Sequence, residues 1–132
     1  MTSTGTTITP KWVMILDDEV DIVMIFKKSL AHAGYDAFGF SDPFLALEHF
    51  KANAAGYGVI ISDVRMPRMT GIEFATKVRE ISPSVPIILM SAFEMSTLDI
   101  PSALDVASFL QKPLMPKQLN KIVAKYVPMP AK

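Results

Sequence analysis

The chain has 132 residues, half of them hydrophobic, which is the size of a single domain with a buried core. Its 13 basic residues balance 13 acidic ones, so it lacks the positive charge typical of a nucleic-acid-binding module. The absence of cysteine excludes a disulfide framework, a thiolate zinc site and cysteine catalysis. No apolar run approaches the roughly 20 residues that cross a bilayer, and the Thr-rich start lacks the features of a signal peptide, so we expect a soluble, cytoplasmic protein without membrane contact.

Short apolar runs alternate with segments of helical periodicity along the chain, which predicts an α/β fold with a parallel sheet. Residues 1–10 are small and polar and predict a disordered leader. One domain is predicted over residues 11–127, and residues 128–132 are a tail or the start of a linker to an output domain. Strands are predicted over residues 12–16, 37–40, 59–63, 86–90 and 108–111.

Helical periodicity predicts a helix after each of the first three strands and after the last one. Gly34 ends the first helix, Ser41 or Asp42 caps the second, and the prolines near residue 128 end the last one. The predicted helices begin at Val20, Pro43, Thr70 and just after Pro116. The residues predicted to face the core are Ile22, Phe26, Leu30, Phe44, Leu47, Phe50, Ile72, Phe74, Ala75, Val78, Leu119, Ile122, Val123 and Tyr126.

The segment before the last strand departs from this regular alternation. Ser96 or Thr97 can start a helix, but Pro101 follows within about one turn and cannot donate to the helical ladder. We therefore expect two short pieces divided near Pro101, the second a turn or short helix near residues 102–106, in place of a regular fourth helix.

Polar side chains follow four of the predicted strands at their carboxyl ends, where the ligand crevice of an open α/β sheet lies. Asp17 and Asp18 follow the first strand, and Asp63 ends the third. Three carboxylates at one edge repel one another, and a divalent cation relieves this repulsion. Carboxylates, backbone carbonyls and a phosphate are ligands that suit Mg²⁺. Ser91 and Lys112, after the next two strands, add a hydroxyl and an amine for phosphoryl oxygens, so the set suffices for phosphoryl transfer to Asp63.

These motifs, in their order and spacing, resemble the receiver domain of two-component response regulators, the chemotaxis-regulator-like superfamily. The matching segments are Asp17-Asp18-Glu19, Ser-Asp-Val-Arg-Met-Pro-Arg-Met-Thr-Gly at residues 62–71, Ser91-Ala92, and Phe-Leu-Gln-Lys-Pro at residues 109–113. The resemblance covers about residues 11–127. It implies a flavodoxin-like (βα)5 three-layer sandwich whose five parallel strands run in the order 2-1-3-4-5. It also implies that Asp63 accepts a phosphoryl group from a sensor histidine kinase or a histidine phosphotransfer protein.

The resemblance further implies a set of Mg²⁺ ligands. Asp18 and Asp63 would bind the ion through their carboxylates, Asp17 mostly through water, and Arg65 through its backbone carbonyl. Asp17 has an alternative role as a cap for the loop before the first helix.

The remaining implied roles concern the phosphorylated state. Lys112 would contact the phosphoryl group, Ser91 would move toward it, and Phe109 would rotate inward as a switch aromatic, although an aromatic on the last strand is also typical of a core. The Lys112-Pro113 peptide bond is cis in this family.

Arg65 and Phe93 occupy the two positions that flank the path of the hydrolytic water in the family. Phe93 cannot hold a water by hydrogen bonding, and Arg65 can cover the phosphoryl group or pair with Glu94. We therefore expect slow self-dephosphorylation.

Two surface features have more than one interpretation. Lys117, Lys121 and Lys125 form a basic stripe on the last helix, which predicts either a solvated face or a homodimer or effector surface. Residues 23–25 extend the apolar surface of the first helix, which favours burial slightly over a docking site for a kinase helix bundle.

Other functional classes fit the sequence less well. A phosphatase with an aspartyl nucleophile carries Asp-x-Asp after its first strand, whereas this chain has Asp17-Asp18-Glu19. A flavodoxin-like binder needs a phosphate-cradling loop there, where two acids repel the ligand. His32 and His49 are predicted to be surface residues without a metal role. The sequence thus predicts a phosphorylation-dependent switch and not an enzyme, with a receiver-like interaction module that works without phosphorylation as the alternative.

Overall fold

Five parallel strands alternate with four α-helices in the computed structural model, which describes residues 10–93 and 99–128. The strands are β1 (Trp12–Leu16), β2 (Asp36–Phe40), β3 (Tyr57–Asp63), β4 (Ile87–Ser91) and β5 (Ser108–Gln111). The helices are α1 (Val20–His32), α2 (Pro43–Asn53), α3 (Gly71–Ile81) and α4 (Pro116–Val123), with short 3₁₀ turns at Ala54–Gly56 and Ser102–Leu104. The leader and tail predicted from sequence lie, apart from Pro10 and Pro128, outside the described residues.

The sheet has the strand order β2-β1-β3-β4-β5, which confirms the predicted topology. All seven residues of the central strand β3 are buried, as a parallel sheet covered on both faces requires. One face packs against α2 and α3 through residues such as Phe50 and Phe74, and the other against α1 and α4 through residues such as Leu30 and Leu119. The three layers leave the carboxyl ends of the strands open as one edge.

The buried stripe of α2 differs from the prediction, because Phe44 is 43% exposed. A stripe read only at every third residue drifts by about 60° per step around a helix. The positions four residues before Phe50 and Leu47 are Ala46 and Pro43, and these residues are the buried ones. The cap was predicted correctly, since Asp42 accepts a hydrogen bond from the Phe44 amide.

His49 also differs from its prediction, whereas His32 is exposed as expected. The ring of His49 is half-buried between Phe38 and Phe40, with 5.1 Å between ring centres in each case. The edge strand β2 presents both phenylalanines toward α2, and sequence periodicity does not reveal this cross-element cluster.

The connection from β4 to β5 contains no α-helix within its described residues 92–93 and 99–107, as the position of Pro101 predicted. Ser102–Leu104 forms a single 3₁₀ turn that ends at Asp105, whose φ is 49°. Arg79 of α3 holds this turn by donating to the carbonyls of Leu104, at 2.7 Å, and Asp105, at 3.3 Å. The earlier piece predicted to start at Ser96 or Thr97 lies outside the described residues.

The outer face of α1 is partly apolar, whereas the sequence slightly favoured burial of residues 23–25. Val23 is buried, but Met24 and Ile25 are 62% and 51% exposed. On α4, Leu119 and Val123 are buried, whereas Tyr126, just beyond the helix, is half-buried. Within residues 10–93 and 99–128, no helix has both the length and the hydrophobicity of a membrane span.

Candidate functional site

Three carboxylates meet at the carboxyl edge of the sheet because β1 and β3 are neighbours in register, with Leu16 opposite Ser62. Asp17 is fully buried, Asp63 is 5% exposed and Asp18 is exposed. Each offers a carboxylate oxygen within 4.8 Å of the others. The structure thus brings together the three acids that the sequence predicted to share one site.

Lys112 reaches this cluster from β5, two strands away from β3. Its Nζ lies 2.7 Å from Oδ2 of Asp17 and 3.3 Å from Oδ2 of Asp63. Burial alone would lower the pKa of Lys112, but the hydrogen bond and negative charge of Asp17, together with Asp63, raise it above its ordinary value. The lysine is therefore a fixed positive charge at the site, and the Lys112-Pro113 bond that follows it is cis.

The charge balance is unfavourable for an ionised Asp63. Burial and the negative charge of Asp17 raise the pKa of Asp63 to about 6, although Lys112 opposes this shift. One ammonium does not compensate three carboxylates, and an all-oxygen donor set of this kind suits a hard divalent cation. The acids therefore fit Mg²⁺, which would balance the charge that Lys112 leaves uncompensated.

Asp17 has two hydrogen-bond partners of its own. One oxygen accepts from the Glu19 amide at 2.9 Å, and the other accepts from Lys112. Asp17 thus closes the loop before α1, as the alternative role considered from sequence requires, and it also holds Lys112, a contact that the sequence did not predict.

Ser91 and Phe93 line a pocket that also contains Asp63. The Ser91 side chain is buried, and its Oγ accepts a hydrogen bond from the Phe93 amide at 3.0 Å. The pocket has a volume of about 260 Å³. It is lined by Asp18, Asp63, Arg65, Ser91, Phe93 and Lys112, among others. Ser91 and Lys112 therefore share one pocket with Asp63, as the sequence predicted.

Arg65 lies over Phe93, with 4.1 Å from the guanidinium carbon to the ring centre. The pairing considered from sequence was with Glu94, which lies outside the described residues. Two of the residues that line the pocket thus contact each other.

Phe109 and the basic stripe lie away from this pocket. Phe109 is half-buried and packs against the core cluster on the α2 and α3 side of the sheet, together with Ile100 and Val106. Lys117, Lys121 and Lys125 are all exposed.

Sequence reasoning did not single out two residues at the β3–α3 loop, which spans residues 64–70. They are Arg68, within the loop, and Gly71, the first residue of α3. The Gly71 amide donates to the Val64 carbonyl at 2.8 Å, and a Cβ at position 71 would overlap the carbonyl oxygen of Asp63. Arg68 adopts a left-handed φ of 71° and forms an ion pair with Asp42 at 3.1 Å. The glycine stands inside the family motif, but no sequence signal pairs Arg68 with Asp42.

Known proteins with similar sequences include transcriptional regulatory proteins and a response regulator receiver protein. The phosphoglycerate transport system transcriptional regulatory protein of Salmonella typhimurium is 35% identical over 112 residues, which are 81% of this chain and 26% of that protein. The alkaline phosphatase synthesis transcriptional regulatory protein of Bacillus subtilis is 30% identical, with 83% and 45% covered. The chain thus spans about a quarter to a half of these two relatives. The response regulator receiver protein CpdR of Brucella abortus is 28% identical, with 87% and 95% covered.

Solved structures show the same fold. The chemotaxis response regulator CheY4 of Vibrio cholerae superposes with a TM-score of 0.77 at 32% identity, with 90% of this chain and 100% of that chain covered. A receiver domain protein from Clostridium thermocellum superposes with a TM-score of 0.80 at 20% identity, with 89% and 94% covered, which supports the fold alone. The family model for the response regulator receiver domain matches residues 13–124. The chain therefore belongs to the family of response regulator receiver domains.

Proposed function

We propose that this receiver accepts a phosphoryl group onto Asp63 and acts as a phosphorylation-dependent signalling switch. The observation that carries the proposal is the buried Asp63 carboxylate beside the Lys112 ammonium, at the base of an acidic pocket. Membership of the receiver family supports a phosphoacceptor role in two-component signalling. Receivers are switches more than enzymes, so the chemistry is limited to the protein's own phosphotransfer and its slow self-dephosphorylation by water.

The donor in this proposal is a phosphohistidine of a sensor histidine kinase or of a histidine phosphotransfer protein. An oxygen of the Asp63 carboxylate attacks phosphorus, an O–P bond forms, and the P–N bond breaks. The imidazole leaves with the electron pair of that bond. Lys112 stays charged throughout and neutralises phosphoryl oxygen, because its raised pKa keeps the proton on Nζ.

The acidic residues would hold Mg²⁺, which supplies neutralisation of the carboxylates and of the phosphoryl oxygens when it is bound. Asp18 and Asp63 are the proposed carboxylate ligands, with Asp17 acting through water and Arg65 through its backbone carbonyl. The fit rests on the carboxylate oxygens within 4.8 Å of one another and on the raised pKa of Asp63.

The proposed switch involves β4 and β5, the two strands that follow β3 in the sheet. The Ser91 hydroxyl exchanges its contact with the Phe93 amide for one with a phosphoryl oxygen, which draws the end of β4 inward. Phe109 is half-buried on the adjacent strand and would rotate into the space that this movement opens. The surface of β5 and α4 changes as a result and becomes the output signal.

Arg65 and Phe93 set the lifetime of the phosphorylated state in this proposal. Their contact closes one side of the pocket without offering an acceptor for the attacking water, because the phenylalanine ring has no hydrogen-bonding atom and the guanidinium only donates. Hydrolysis of the aspartyl phosphate is therefore slow.

Two surfaces are available to partners. The exposed Met24 and Ile25 on α1 are suited to an apolar helix of the phosphodonor. The basic stripe at Lys117, Lys121 and Lys125 would contact an effector or a second copy of the chain. The same proposal places the protein and its donor in the cytoplasm, without direct contact of this domain with nucleic acid or membrane.

Mass spectrometry of the intact protein after incubation with acetyl phosphate and Mg²⁺ tests the proposal. We expect one phosphoryl adduct that disappears in Asp63→Asn and persists in the matched control Asp36→Asn, which changes an exposed acid on the edge strand. An adduct that survives in Asp63→Asn would contradict the assignment. The absence of any adduct in the parent protein would favour an interaction module that works without phosphorylation.

A further inference from the structure

At the tip of the β3–α3 loop, the Arg68 side chain contacts the start of α2. The Arg68 guanidinium lies 3.1 Å from Oδ2 of Asp42, and its carbon lies 4.8 Å from the centre of the Phe44 ring. Phe44 is the residue that the predicted core stripe wrongly included, and its outward position supplies this contact. The loop therefore has an anchor on a neighbouring element.

The backbone of Arg68 needs such an anchor. Its φ of 71° lies in the left-handed region, which residues other than glycine, asparagine and aspartate seldom adopt. A conformation of this kind persists when its surroundings hold it in place. A hydrogen bond from the Met69 amide to the Pro67 carbonyl at 2.8 Å spans Arg68, and the buried Met66 and Met69 anchor the loop on either side of it. The ion pair and the aromatic contact of the Arg68 side chain add to this support.

Asp42 is suited to hold Arg68 because it divides its two oxygens between two tasks. Oδ1 accepts the Phe44 amide at 2.8 Å and caps α2, while Oδ2 faces Arg68. The helix cap thereby fixes the orientation of the carboxylate that pairs with Arg68. The aspartate acts as a rigid acceptor and not as a free surface side chain.

The contact closes a ring of interactions around the phosphoacceptor site. Phe40, at the end of β2 and two residues before Asp42, accepts a hydrogen bond from the Asp17 amide at 3.2 Å. Asp17 holds Lys112, which contacts Asp63, and Asp63 leads into the loop that carries Arg68. The end of β2 thus contacts the buried Asp17 through Phe40 and, two residues later, holds the loop tip through Asp42.

We infer that Arg68 is a positioning residue that holds the β3–α3 loop against Asp42 and Phe44 and so fixes the backbone next to Asp63. The loop includes Arg65, whose carbonyl is a proposed Mg²⁺ ligand, so the effect on metal affinity rests on the proposed function. Loss of the contact releases the loop and weakens Mg²⁺ binding without unfolding the domain.

The test compares Arg68→Gln, Asp42→Asn and the double variant with the parent protein. Asparagine is as good a helix cap as aspartate, so Asp42→Asn removes the ion pair while it retains the cap of α2. The matched control is Lys51→Gln, which breaks another exposed ion pair of α2, with Glu48 at 3.9 Å. Hydrogen exchange of the Met69 and Gly71 amides, measured without Mg²⁺ or donor, reports opening of the loop.

We expect Arg68→Gln, which loses both the ion pair and the aromatic contact, to exchange these two amides about threefold faster, and Asp42→Asn, which loses only the ion pair, about twofold faster. The double variant should be no faster than Arg68→Gln, because the ion pair is already lost in that variant. Calorimetric titration with MgCl₂ should give a dissociation constant that rises by about the same factors, and the control should match the parent in both measurements.

Unchanged exchange in the single variants, or additive effects in the double variant, would overturn the inference. Faster exchange with an unchanged Mg²⁺ dissociation constant would reduce Arg68 to a structural contact and would overturn it as well. Neither measurement uses a phosphodonor, so both decide the role of Arg68 even for a protein in which Asp63 takes no phosphoryl group.

Discussion

The guanidinium carbon of Arg65 lies 4.1 Å from the centre of the Phe93 ring, and the two residues form one wall of the pocket that contains Asp63. They stand two positions after Asp63 and Ser91, respectively. A contact of this type contributes about 0.5 to 1 kcal/mol at an exposed site, enough to favour the stacked arrangement over a free arginine. The wall is cationic and aromatic, and it contains no acceptor that can hold an attacking water.

Phe93→Glu should shorten the lifetime of the phosphorylated protein. A carboxylate at this position can accept a hydrogen bond from the water that attacks phosphorus, and Arg65 can turn from the lost ring to pair with it. We expect decay about tenfold faster, which is less than a fully positioned general base provides. The measurement is the loss of the phosphoryl adduct over time after removal of acetyl phosphate.

Phe93→Leu serves as the control for this prediction, because it removes the aromatic ring and keeps an apolar side chain without an acceptor. Its decay should remain within about twofold of the parent. If Phe93→Glu decays no faster than Phe93→Leu, the wall does not control hydrolysis.

Lys112→Gln should destabilise the protein when Mg²⁺ is absent. The change removes the ammonium that lies 2.7 Å from the fully buried Asp17 and 3.3 Å from Asp63. Breaking a buried pair costs about 3 to 5 kcal/mol, and the solvent at this pocket reduces that to about 2 kcal/mol. Urea unfolding at neutral pH with EDTA measures the loss, with the single tryptophan, Trp12, as the fluorescent probe.

The matched control for this variant is Lys117→Gln, which removes an exposed lysine from α4 and should change the free energy of unfolding by less than about 0.5 kcal/mol. Equal stability of Lys112→Gln and the parent would mean that Lys112 does not compensate the buried acids.

The sequence was sufficient to predict the residues that meet at the site. Parallel strands place Asp17, Asp63, Ser91 and Lys112 at one sheet edge by topology alone, so the strand ends determine the constellation without any knowledge of side-chain packing. The absence of an α-helix from the described residues 99–107 before β5 was equally predictable, because Pro101 imposes a local constraint that no tertiary contact needs to supply.

Contacts between elements distant in the chain were not predictable. The half-buried position of His49 depends on the two phenylalanines of β2, and the ion pair of Arg68 depends on Asp42, 26 positions earlier. The contact of Arg65 with Phe93 likewise spans two loops. Periodicity assigns a residue to a face of its own element but does not identify the side chain it meets on another.

Gly71→Ala should impair both folding and phosphorylation. A Cβ at this position would overlap the carbonyl oxygen of Asp63, so the backbone that carries the phosphoacceptor would have to shift. Forced overlap of this kind costs about 1 to 3 kcal/mol. We expect a lower melting temperature and, in the folded fraction, a smaller phosphoryl adduct after incubation with acetyl phosphate.

Thr70→Ala is the control at the same helix start, where the threonine hydroxyl accepts the Glu73 amide at 3.1 Å. Its loss should cost about 1 kcal/mol without moving Asp63, so the adduct should persist. If Gly71→Ala forms the adduct as fully as Thr70→Ala, the close approach of the loop to Asp63 is not required for the reaction.

Asp63→Asn should stabilise the metal-free protein at neutral pH and have little effect on stability in acid. Burial and the negative charge of Asp17 raise the pKa of Asp63 to about 6, whereas an unfolded chain titrates its aspartates near pH 3.9. The native state therefore binds more protons than the unfolded state between about pH 4 and pH 6, and stability is lost as the pH rises through this window. An asparagine has no charge to bury and avoids this loss.

We expect Asp63→Asn to raise the free energy of unfolding by about 2 kcal/mol at pH 7.5 in EDTA, with the difference shrinking to near zero at about pH 4. Added Mg²⁺ should narrow the gap at pH 7.5, because binding of the ion to the native parent stabilises that protein by mass action. Asp36→Asn, at an exposed position on the edge strand, should show neither effect. A pH-independent difference between Asp63→Asn and the parent would contradict the explanation, because relief of charge repulsion must disappear once Asp63 is protonated in both the folded and the unfolded chain.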